Sequence, residues 1–395
     1  MKKATRQHTK EHNRILVLKT IFDNESISRA DIARATSLTR TTVTEIVAAL
    51  LEEKLVIEIG VGESQGGKSP ILLKLAEDSR YLLSLDLSHS EFRGAIINLR
   101  GKILATASLP VSERGGEEAL DLVYQILDKL LGADYQPLVG IGVGTPGLVN
   151  ANEGVVIKAV NLDWENLPLA RLLEDRYHLP VYVLNDSQAA AMGEYHYGQG
   201  HLAESNLVVI NARHGLGAGI IIQGQLFQGD GGGAGEIGHV VVQENGTPCR
   251  CGNYGCLETV ASVQAILHKV KQLSSTHPLL PQKPEDISLV EIQQAFQAGD
   301  PQVQQIVLEA GRYMGIAISA LVGMLNIHNI LLSGDMTCFG EPWLKCVQEA
   351  MSQHTLSRLA KESEVHVGQL GKDSILLGAS AVLINQYPLL FRGDS

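Results

Sequence analysis

The chain has 395 residues, a length typical of two or three domains with sizeable cores. Hydrophobic residues make up 45% and charged residues 19% of the sequence, which excludes intrinsic disorder as the main state. The net charge of −11 argues against a protein that coats nucleic acid over its whole surface. Residues 1–75, however, carry 12 Lys/Arg against 9 Asp/Glu, a balance of +3. A basic N-terminal segment on an acidic body predicts local contact with phosphate groups.

No segment has the pattern of a membrane span. The best candidate, Tyr313 to Gly334, carries Asn326, His328 and Asn329 and has only about thirteen apolar residues, which predicts a buried helix. The N-terminal sequence lacks the apolar stretch of a signal peptide, so we expect a cytoplasmic protein.

The N-terminal segment has the pattern of three short helices. From Lys10 to Phe22 the apolar residues fall on one helical face. Ser28 followed by Asp31 is a capping-box spacing for a second helix, and Thr39 can cap a third. The third helix has an apolar stripe at i, i+3, i+4 and i+7, formed by Val43, Ile46, Val47 and Leu50.

The polar face of the third helix is the predicted DNA contact. Its first turns carry Arg40, Thr41, Thr42 and Thr44, whose hydroxyl and guanidinium groups can bond phosphates and bases. Two strands, Leu55–Ile59 and Ile71–Leu75, flank a glycine-rich stretch, which predicts a wing with Lys68 at its tip. Residues 1–75 therefore predict a winged helix-turn-helix domain; the alternative is a protein-interaction module of three small helices.

The body, residues 76–395, alternates strands with helices and predicts an α/β fold. A strand meander between Tyr81 and Ser108 precedes the helix Ala119–Leu131, and a second meander covers residues 207–227. Strand ends at Gly144-Thr145-Pro146-Gly147 and at Asn185-Asp186 place polar groups at the edge of a sheet. The duplicated order predicts two similar lobes with a cleft between them.

Three of the five cysteines, Cys249, Cys251 and Cys256, lie within eight residues. Cytosolic thiols at this spacing are metal ligands more often than disulfides; the alternative is three reduced thiols in a loop. A closed tetrahedral zinc site needs a fourth donor, and His239 is the nearest candidate. The sequence therefore predicts one structural Zn²⁺ per chain.

The segment Gly235-Glu-Ile-Gly-His239, followed by the three cysteines and Glu258, resembles the signature of the ROK family (repressors, open reading frames, sugar kinases). The Gly144–Gly147 loop and Asn185-Asp186 agree with it, and the similarity spans about residues 10 to 385. With its winged head, the chain is most similar to the family's xylose and N-acetylglucosamine repressor group. The resemblance implies a two-lobed actin-like (sugar kinase/ribonuclease H-like) body, the zinc ligands named above, and homodimers or tetramers.

The resemblance also implies a sugar site in the cleft. Carboxylates and amides bond adjacent sugar hydroxyls well, and His239 can direct one ring nitrogen to zinc and the other to a hydroxyl. For Asn185 and Asp186 taken alone, the alternative is helix capping. The implied sugar ligands are Asn150, Asn185, Asp186, Glu236, His239 and Glu258.

Two phosphate-binding turns of the family's kinases are altered here. The first, normally Asp-x-Gly-Gly-Thr, is Asp86-Leu87-Ser88-His89-Ser90, and the second, normally opening Gly-Thr-Gly, begins Ala212-Arg213-His214. Side chains at the glycine positions would crowd a phosphate, so we expect no enzyme activity. The leading hypothesis is a repressor that binds operator DNA and is released by xylose or a glucose-like monosaccharide. The alternatives are a sugar kinase with an appended head and a repressor controlled by docking to a sugar-transport protein.

Overall fold

The computed structural model describes residues 6–62, 69–88, 90–112, 114–198, 206–273 and 277–385. The N-terminal head contains three helices and a three-stranded antiparallel sheet of order β1-β3-β2. Its elements are α1 (Arg6–Phe22), β1 (Ile27–Ser28), α2 (Arg29–Thr36), α3 (Arg40–Glu52), β2 (Val56–Val61) and β3 (Ile71–Leu75). The short strand β1 is the one head element that the sequence pattern did not predict.

Side-chain caps begin the second and third helices, as predicted. The Ser28 hydroxyl accepts the Asp31 amide, and the Thr39 hydroxyl accepts the Thr42 amide, each at 3.2 Å. The turn between the two helices passes through Ser37, which adopts a left-handed conformation with φ of 57°. The apolar stripe of α3 then packs into one core with α1 and the sheet. The predicted helix-turn-helix geometry is therefore confirmed.

The body contains two five-stranded sheets of identical topology. In each, an antiparallel meander of three strands is followed by two parallel strands, in the orders β6-β5-β4-β7-β11 and β14-β13-β12-β15-β16. The first sheet comprises β4 (Tyr81–Asp86), β5 (Glu91–Asn98), β6 (Ile103–Pro110), β7 (Leu138–Thr145) and β11 (Val181–Asn185). The second comprises β12 (Leu207–Ala212), β13 (Leu216–Ile222), β14 (Gln225–Phe227), β15 (Asn329–Ser333) and β16 (Glu364–Val367). The predicted duplication is confirmed.

Within the part of the body that the structure describes, there are also a small antiparallel sheet and ten α-helices. The sheet comprises β8 (Leu148–Asn150), β9 (Val155–Ala159) and β10 (Trp164–Leu167). The helices are α4 (Gly116–Leu131), α5 (Leu169–Tyr177), α6 (Asp186–His196), α7 (Glu258–Ala261), α8 (Val263–Lys271), α9 (Leu289–Gln297), α10 (Pro301–Leu325), α11 (Gly340–His354), α12 (Ser357–Glu362) and α13 (Ser374–Asn385). Among the described residues, α10 alone has the length and apolar composition of a membrane span, and half of its most apolar stretch is buried in the protein.

Helix α6 begins at Asp186, directly after the predicted strand end, because the Asn185 side chain caps its first amides. The segment from Tyr313 to Gly334 is not one buried helix. Asn326, with φ of 51°, ends α10, and the chain continues into the buried strand β15.

Helices α6 and α13 lie together between the two sheets. Glycines permit their close approach: a Cβ on Gly378 would lie 1.6 Å from the Ala189 carbonyl oxygen, and one on Gly193 would lie 2.2 Å from that of Ser374. The N-terminal end of α6 consequently lies where the edges of both sheets converge.

Candidate metal centre and sugar site

The loop between residues 239 and 256 brings the four predicted metal ligands together. Their donor atoms all lie within 4.8 Å of one another. His239 Nδ1 is 3.5 Å from Cys249 Sγ, and Cys251 Sγ is 3.6 Å from Cys256 Sγ. Two sulfurs bound to one tetrahedral zinc at about 2.3 Å would lie about 3.8 Å apart. The cluster therefore has the spacing and donor chemistry to hold a metal ion.

Backbone geometry shapes this loop. Gly255 has φ of 69°, and a Cβ there would lie 1.7 Å from the Gln243 carbonyl oxygen, so only glycine fits. The Asn253 backbone amide lowers the pKa of Cys251 to about 7, whereas burial raises the pKa of Cys256 to about 12. A partly ionised thiol beside buried ones is suited to thiolate ligation of a cation, which favours deprotonation of all three.

Two carboxylates lie beside this cluster. With Nδ1 of His239 directed to the cysteines, Nε2 lies 3.8 Å from Glu236 Oε2. Glu258, two residues after Cys256, accepts the Leu216 amide at 3.2 Å, and its carboxylate lies against Gly215. Burial raises the pKa of Glu236; the His239 ring opposes the shift and Glu258 adds to it. The structure thus groups three of the predicted sugar ligands.

A second group of predicted ligands lies at the start of α6. Asn185 Oδ1 accepts the amides of Ser187 and Gln188 at 2.9 and 3.3 Å, and its Nδ2 donates to the Gly147 carbonyl at 2.9 Å. Asn185 therefore makes the capping contacts of the alternative hypothesis. Its separate hydrogen bond to the Gly147 carbonyl joins the Gly144–Gly147 loop to the start of α6.

Asp186, the first residue of α6, is half-buried beside other charges. Burial raises its pKa to about 6, and the negative charge of Asp86 adds to the shift, whereas Arg213 and hydrogen bonds from Ser187 oppose it. Asn150 is the last residue of β8, and its Oδ1 accepts the Glu153 amide at 3.3 Å. The Gln188 side chain donates to the Gly232 carbonyl at 2.9 Å and so ties α6 to the loop that precedes Glu236.

The sequence analysis missed an ion pair that joins the two lobes. Arg213 Nη1 lies 3.3 Å from Asp86 Oδ2 and 3.0 Å from Ser88 Oγ, and its Nη2 donates to the Lys372 carbonyl at 3.1 Å. Asp86, fully buried, ends β4 of the first sheet, and Arg213 follows β12 of the second. The two residues lie at equivalent positions, at the end of the first strand of each lobe. This equivalence is the sequence signal that could have indicated the pair.

Two glycines that follow the second turn, Gly217 and Gly219 in β13, allow close packing against α6. A Cβ on Gly217 would lie 2.3 Å from Ser187 Oγ, and one on Gly219 would lie 2.3 Å from Ala191 Cβ. Both glycines therefore allow β13 to approach α6. His89 of the first turn lies outside the described residues.

The predicted DNA-contact residues of α3 differ in solvent exposure. Arg40, Thr41 and Thr44 are exposed. Thr42 is half-buried, and its hydroxyl lies 2.9 Å from that of Thr39 within the cap. Lys68 lies outside the described residues. An exposed arginine and two threonines thus remain at the predicted major-groove face.

Comparison with protein-family models matches residues 82–386 to the ROK family. The chain belongs to the ROK family. Residues 10–57 match a model described as winged helix-turn-helix DNA-binding. The predicted fold class, a winged helix-turn-helix head on a two-lobed, actin-like ROK body, is therefore confirmed.

This ROK chain is similar to repressors over almost its whole length. The xylose repressor of Caldicellulosiruptor bescii is 32% identical over 95% of this chain and 96% of that protein. The crystal structure of a ROK family transcriptional regulator, a homolog of the E. coli MLC protein, has a TM-score of 0.84 and 29% identity, covering 97% of this chain and 98% of the other. A ROK glucokinase from Streptomyces griseus, in complex with glucose and AMPPNP, has a TM-score of 0.70 and 28% identity, covering 76% of this chain and 98% of the other.

Proposed function

We propose that this protein is a sugar-responsive transcriptional repressor. Residues 1–75 bind operator DNA through α3 and the wing, and residues 76–395 bind a monosaccharide, xylose or a glucose-like sugar, that releases the DNA. The observation that carries the proposal is the combination of a winged helix-turn-helix DNA-binding match in the head with a ROK match over the body. The similarity to a xylose repressor over nearly the whole chain supports it.

The chemistry of these side chains supports a monosaccharide as the effector. Asp186 and Glu258 offer half-buried acceptors and Glu236 offers an exposed one, and Nε2 of His239 lies on the side of Glu236 rather than of the cysteines. A pyranose presents hydroxyls that each donate and accept, so it can bridge such a set. Asn185 and Asn150 complete the proposed site with one amide each.

The body holds one structural Zn²⁺ on His239, Cys249, Cys251 and Cys256. Four protein ligands leave no position for a reactive water, so the ion's contribution is to fix the loop and the His239 ring. Through that ring and through Cys256, the metal centre would hold Glu236 and Glu258 in place.

The Asp86–Arg213 pair supports a function without phosphoryl transfer. The arginine lies at the turn where the family's kinases have the second phosphate-binding glycines, and its guanidinium is bonded to Asp86, Ser88 and the Lys372 carbonyl. A phosphoryl donor needs free backbone amides and a metal at such turns. The similarity to a glucokinase keeps a sugar kinase with an appended head as the second candidate.

The proposed repressor is a homodimer or tetramer, because paired heads match the two half-sites of a pseudopalindromic operator. As a repressor of operator DNA, it acts in the cytoplasm. One experiment separates the candidates. Duplexes selected by the protein from a random pool are titrated with and without D-xylose and D-glucose, and the same protein is assayed for ATP-dependent phosphorylation of both sugars. Sugar-dependent release without turnover is the expected result. Turnover with ATP would favour the kinase, and release only by a transport protein would favour the docking alternative.

We predict that Arg40→Ala and Thr41→Ala lower operator affinity and leave sugar affinity unchanged, because the two sites lie in different domains. Loss of a base contact weakens binding by about 1–3 kcal/mol, or roughly tenfold to a hundredfold. Fluorescence anisotropy with the selected duplex measures the change. Arg358→Ala is the control, since that exposed arginine lies on α12 of the body. Unchanged affinity in both head variants would contradict the assignment of α3.

We predict that purified protein contains about one zinc per chain and that Cys251→Ser loses it, because a thiolate ligand is removed. Metal analysis of both proteins tests this, and sugar affinity should fall together with the zinc content. Cys338→Ser, a cysteine outside the cluster, is the control and should retain the metal. Metal-free wild-type protein with full sugar response would contradict the zinc assignment.

A further inference from the structure

One turn of the body packs into the head. This turn, residues 98–102 between β5 and β6, places Leu99 in the hydrophobic core of the head, where it is 1% exposed. The buried Asn98 makes the turn rigid, because its Oδ1 accepts the amides of Arg100 and Lys102, each at 3.0 Å. The turn is therefore a preformed part of the body that is embedded in the head.

Arg100 of this turn closes the end of α1. Its guanidinium donates to the carbonyls of Phe22 and Asn24, the second at 2.9 Å, and lies 5.0 Å from the centre of the Phe22 ring. The last carbonyls of a helix lack partners within it and carry the negative end of its dipole. A cation from the body thus holds the C-terminal end of a head helix.

The same turn contacts the C-terminal end of α6. Gly101, with φ of 80°, lies so close to the Tyr197 ring that a Cβ would be 2.6 Å from it. Tyr197 directly follows α6. The preceding residue, His196, has its pKa lowered to about 4 by burial and by the charge of Lys19 on α1. The end of α6 therefore lies against the turn and within electrostatic range of Lys19 of α1.

Helix α6 connects this contact to the proposed sugar site. Its first residue is Asp186, and its 11 residues span about 16 Å. Because α6 packs closely against α13 through these glycines, we expect it to move as one unit, so that a displacement at one end moves the other. Within the head, α1 is coupled to α3 by a common core and by the ion pair of Arg14 with Glu53 at 2.5 Å.

We propose that Arg100 couples the sugar site to the DNA-binding helix. A shift of α6 on sugar binding moves Tyr197 and the turn, and Arg100 transmits this movement to α1 and so to α3. The inference rests on the proposed function, since it takes the N-terminal end of α6 as the sugar site. It requires that sugar binds one position of α6 more tightly than the other. Arg100 is a positioning residue that contacts neither sugar nor DNA.

The test compares full-length wild type with Arg100→Ala, Arg100→Lys and Lys102→Ala. Lys102 is exposed on the same turn and is the matched control. The readout is the ratio of operator affinities without and with D-xylose or D-glucose, using duplexes selected by the wild type, together with sugar affinity by calorimetry. We expect a wild-type ratio of about 5–150, the usual range of allosteric coupling. Lys102→Ala should keep it, Arg100→Ala should bring it close to 1 with unchanged sugar affinity, and Arg100→Lys should be intermediate.

If Arg100→Ala keeps the wild-type ratio of operator affinities, the proposal is overturned. This holds also where the variant binds the operator more weakly, because Arg100 would then only orient the head. If neither sugar acts on the wild type, the proposed function fails, and the coupling is tested from the DNA side by reciprocity. Operator binding should slow amide exchange in residues 193–198 of wild type and Lys102→Ala, and not of Arg100→Ala. No change in wild type would overturn the coupling.

Discussion

Replacement of Arg213 by methionine is expected to lower the free energy of unfolding by about 3 kcal/mol at pH 7, because a buried aspartate would lose its ionic partner. Asp86 is fully buried, and Arg213 supplies the one side-chain cation within 4 Å of it among the described residues. Methionine keeps the aliphatic stem and removes only the charge. Denaturation by urea, followed by the buried tryptophans Trp164 in the first lobe and Trp343 in the second, measures the change.

The loss should depend on pH. Burial raises the pKa of Asp86 above its ordinary 3.8, so without Arg213 the folded state prefers the protonated carboxyl. Ionisation of Asp86 then destabilises the folded state as the pH rises above the pKa of this carboxyl in the unfolded chain. The loss of unfolding free energy in Arg213→Met should therefore be smaller at pH 5 than at pH 7. The double variant Asp86→Asn/Arg213→Met should recover most of the stability. An equal deficit at both pH values would contradict a charge effect.

Replacement of Asp186 by asparagine is expected to weaken sugar binding about tenfold to a hundredfold. Hydrogen bonds from hydroxyls to a charged carboxylate contribute about 1.5–3 kcal/mol each, and the amide keeps the size but not the charge. Operator affinity without sugar should stay near that of the wild type, giving a repressor that no longer releases at ordinary sugar concentrations. Operator binding measured against sugar concentration tests this. An unchanged release curve would remove Asp186 from the effector site.

The ionisation of Asp186 provides a second measurement. Because its pKa is raised to about 6, sugar affinity should decline as pH falls below 6, by up to about tenfold per pH unit. Asp186→Asn should lack this decline. Asp175→Asn, which changes an exposed aspartate on α5, should retain it and serves as the control. A kinase would instead show lost turnover with a smaller effect on sugar binding.

The sequence was most informative where structure depends on neighbouring residues. The helix-turn-helix follows from a 3.6-residue apolar period and two side-chain caps, all of which act within four positions. The metal cluster was predicted for the same reason: three ligands lie within eight residues, and glycine turns bring them together. The two repeated strand meanders likewise have a pattern that is visible along the chain.

The decisive contacts between distant segments depended on packing. Arg213 meets Asp86 across 127 positions of sequence, and Arg100 meets Phe22 across 78. Neither arginine has a local pattern that names its partner, because charge and exposure at one position are compatible with many neighbours. The capping contacts of Asn185 could be predicted from the local sequence, whereas its hydrogen bond to the Gly147 carbonyl depends on the tertiary structure. Local hydrogen bonds and hydrophobic periodicity determined the elements, whereas the close packing of α6 and α13 between two sheets determined which charges meet.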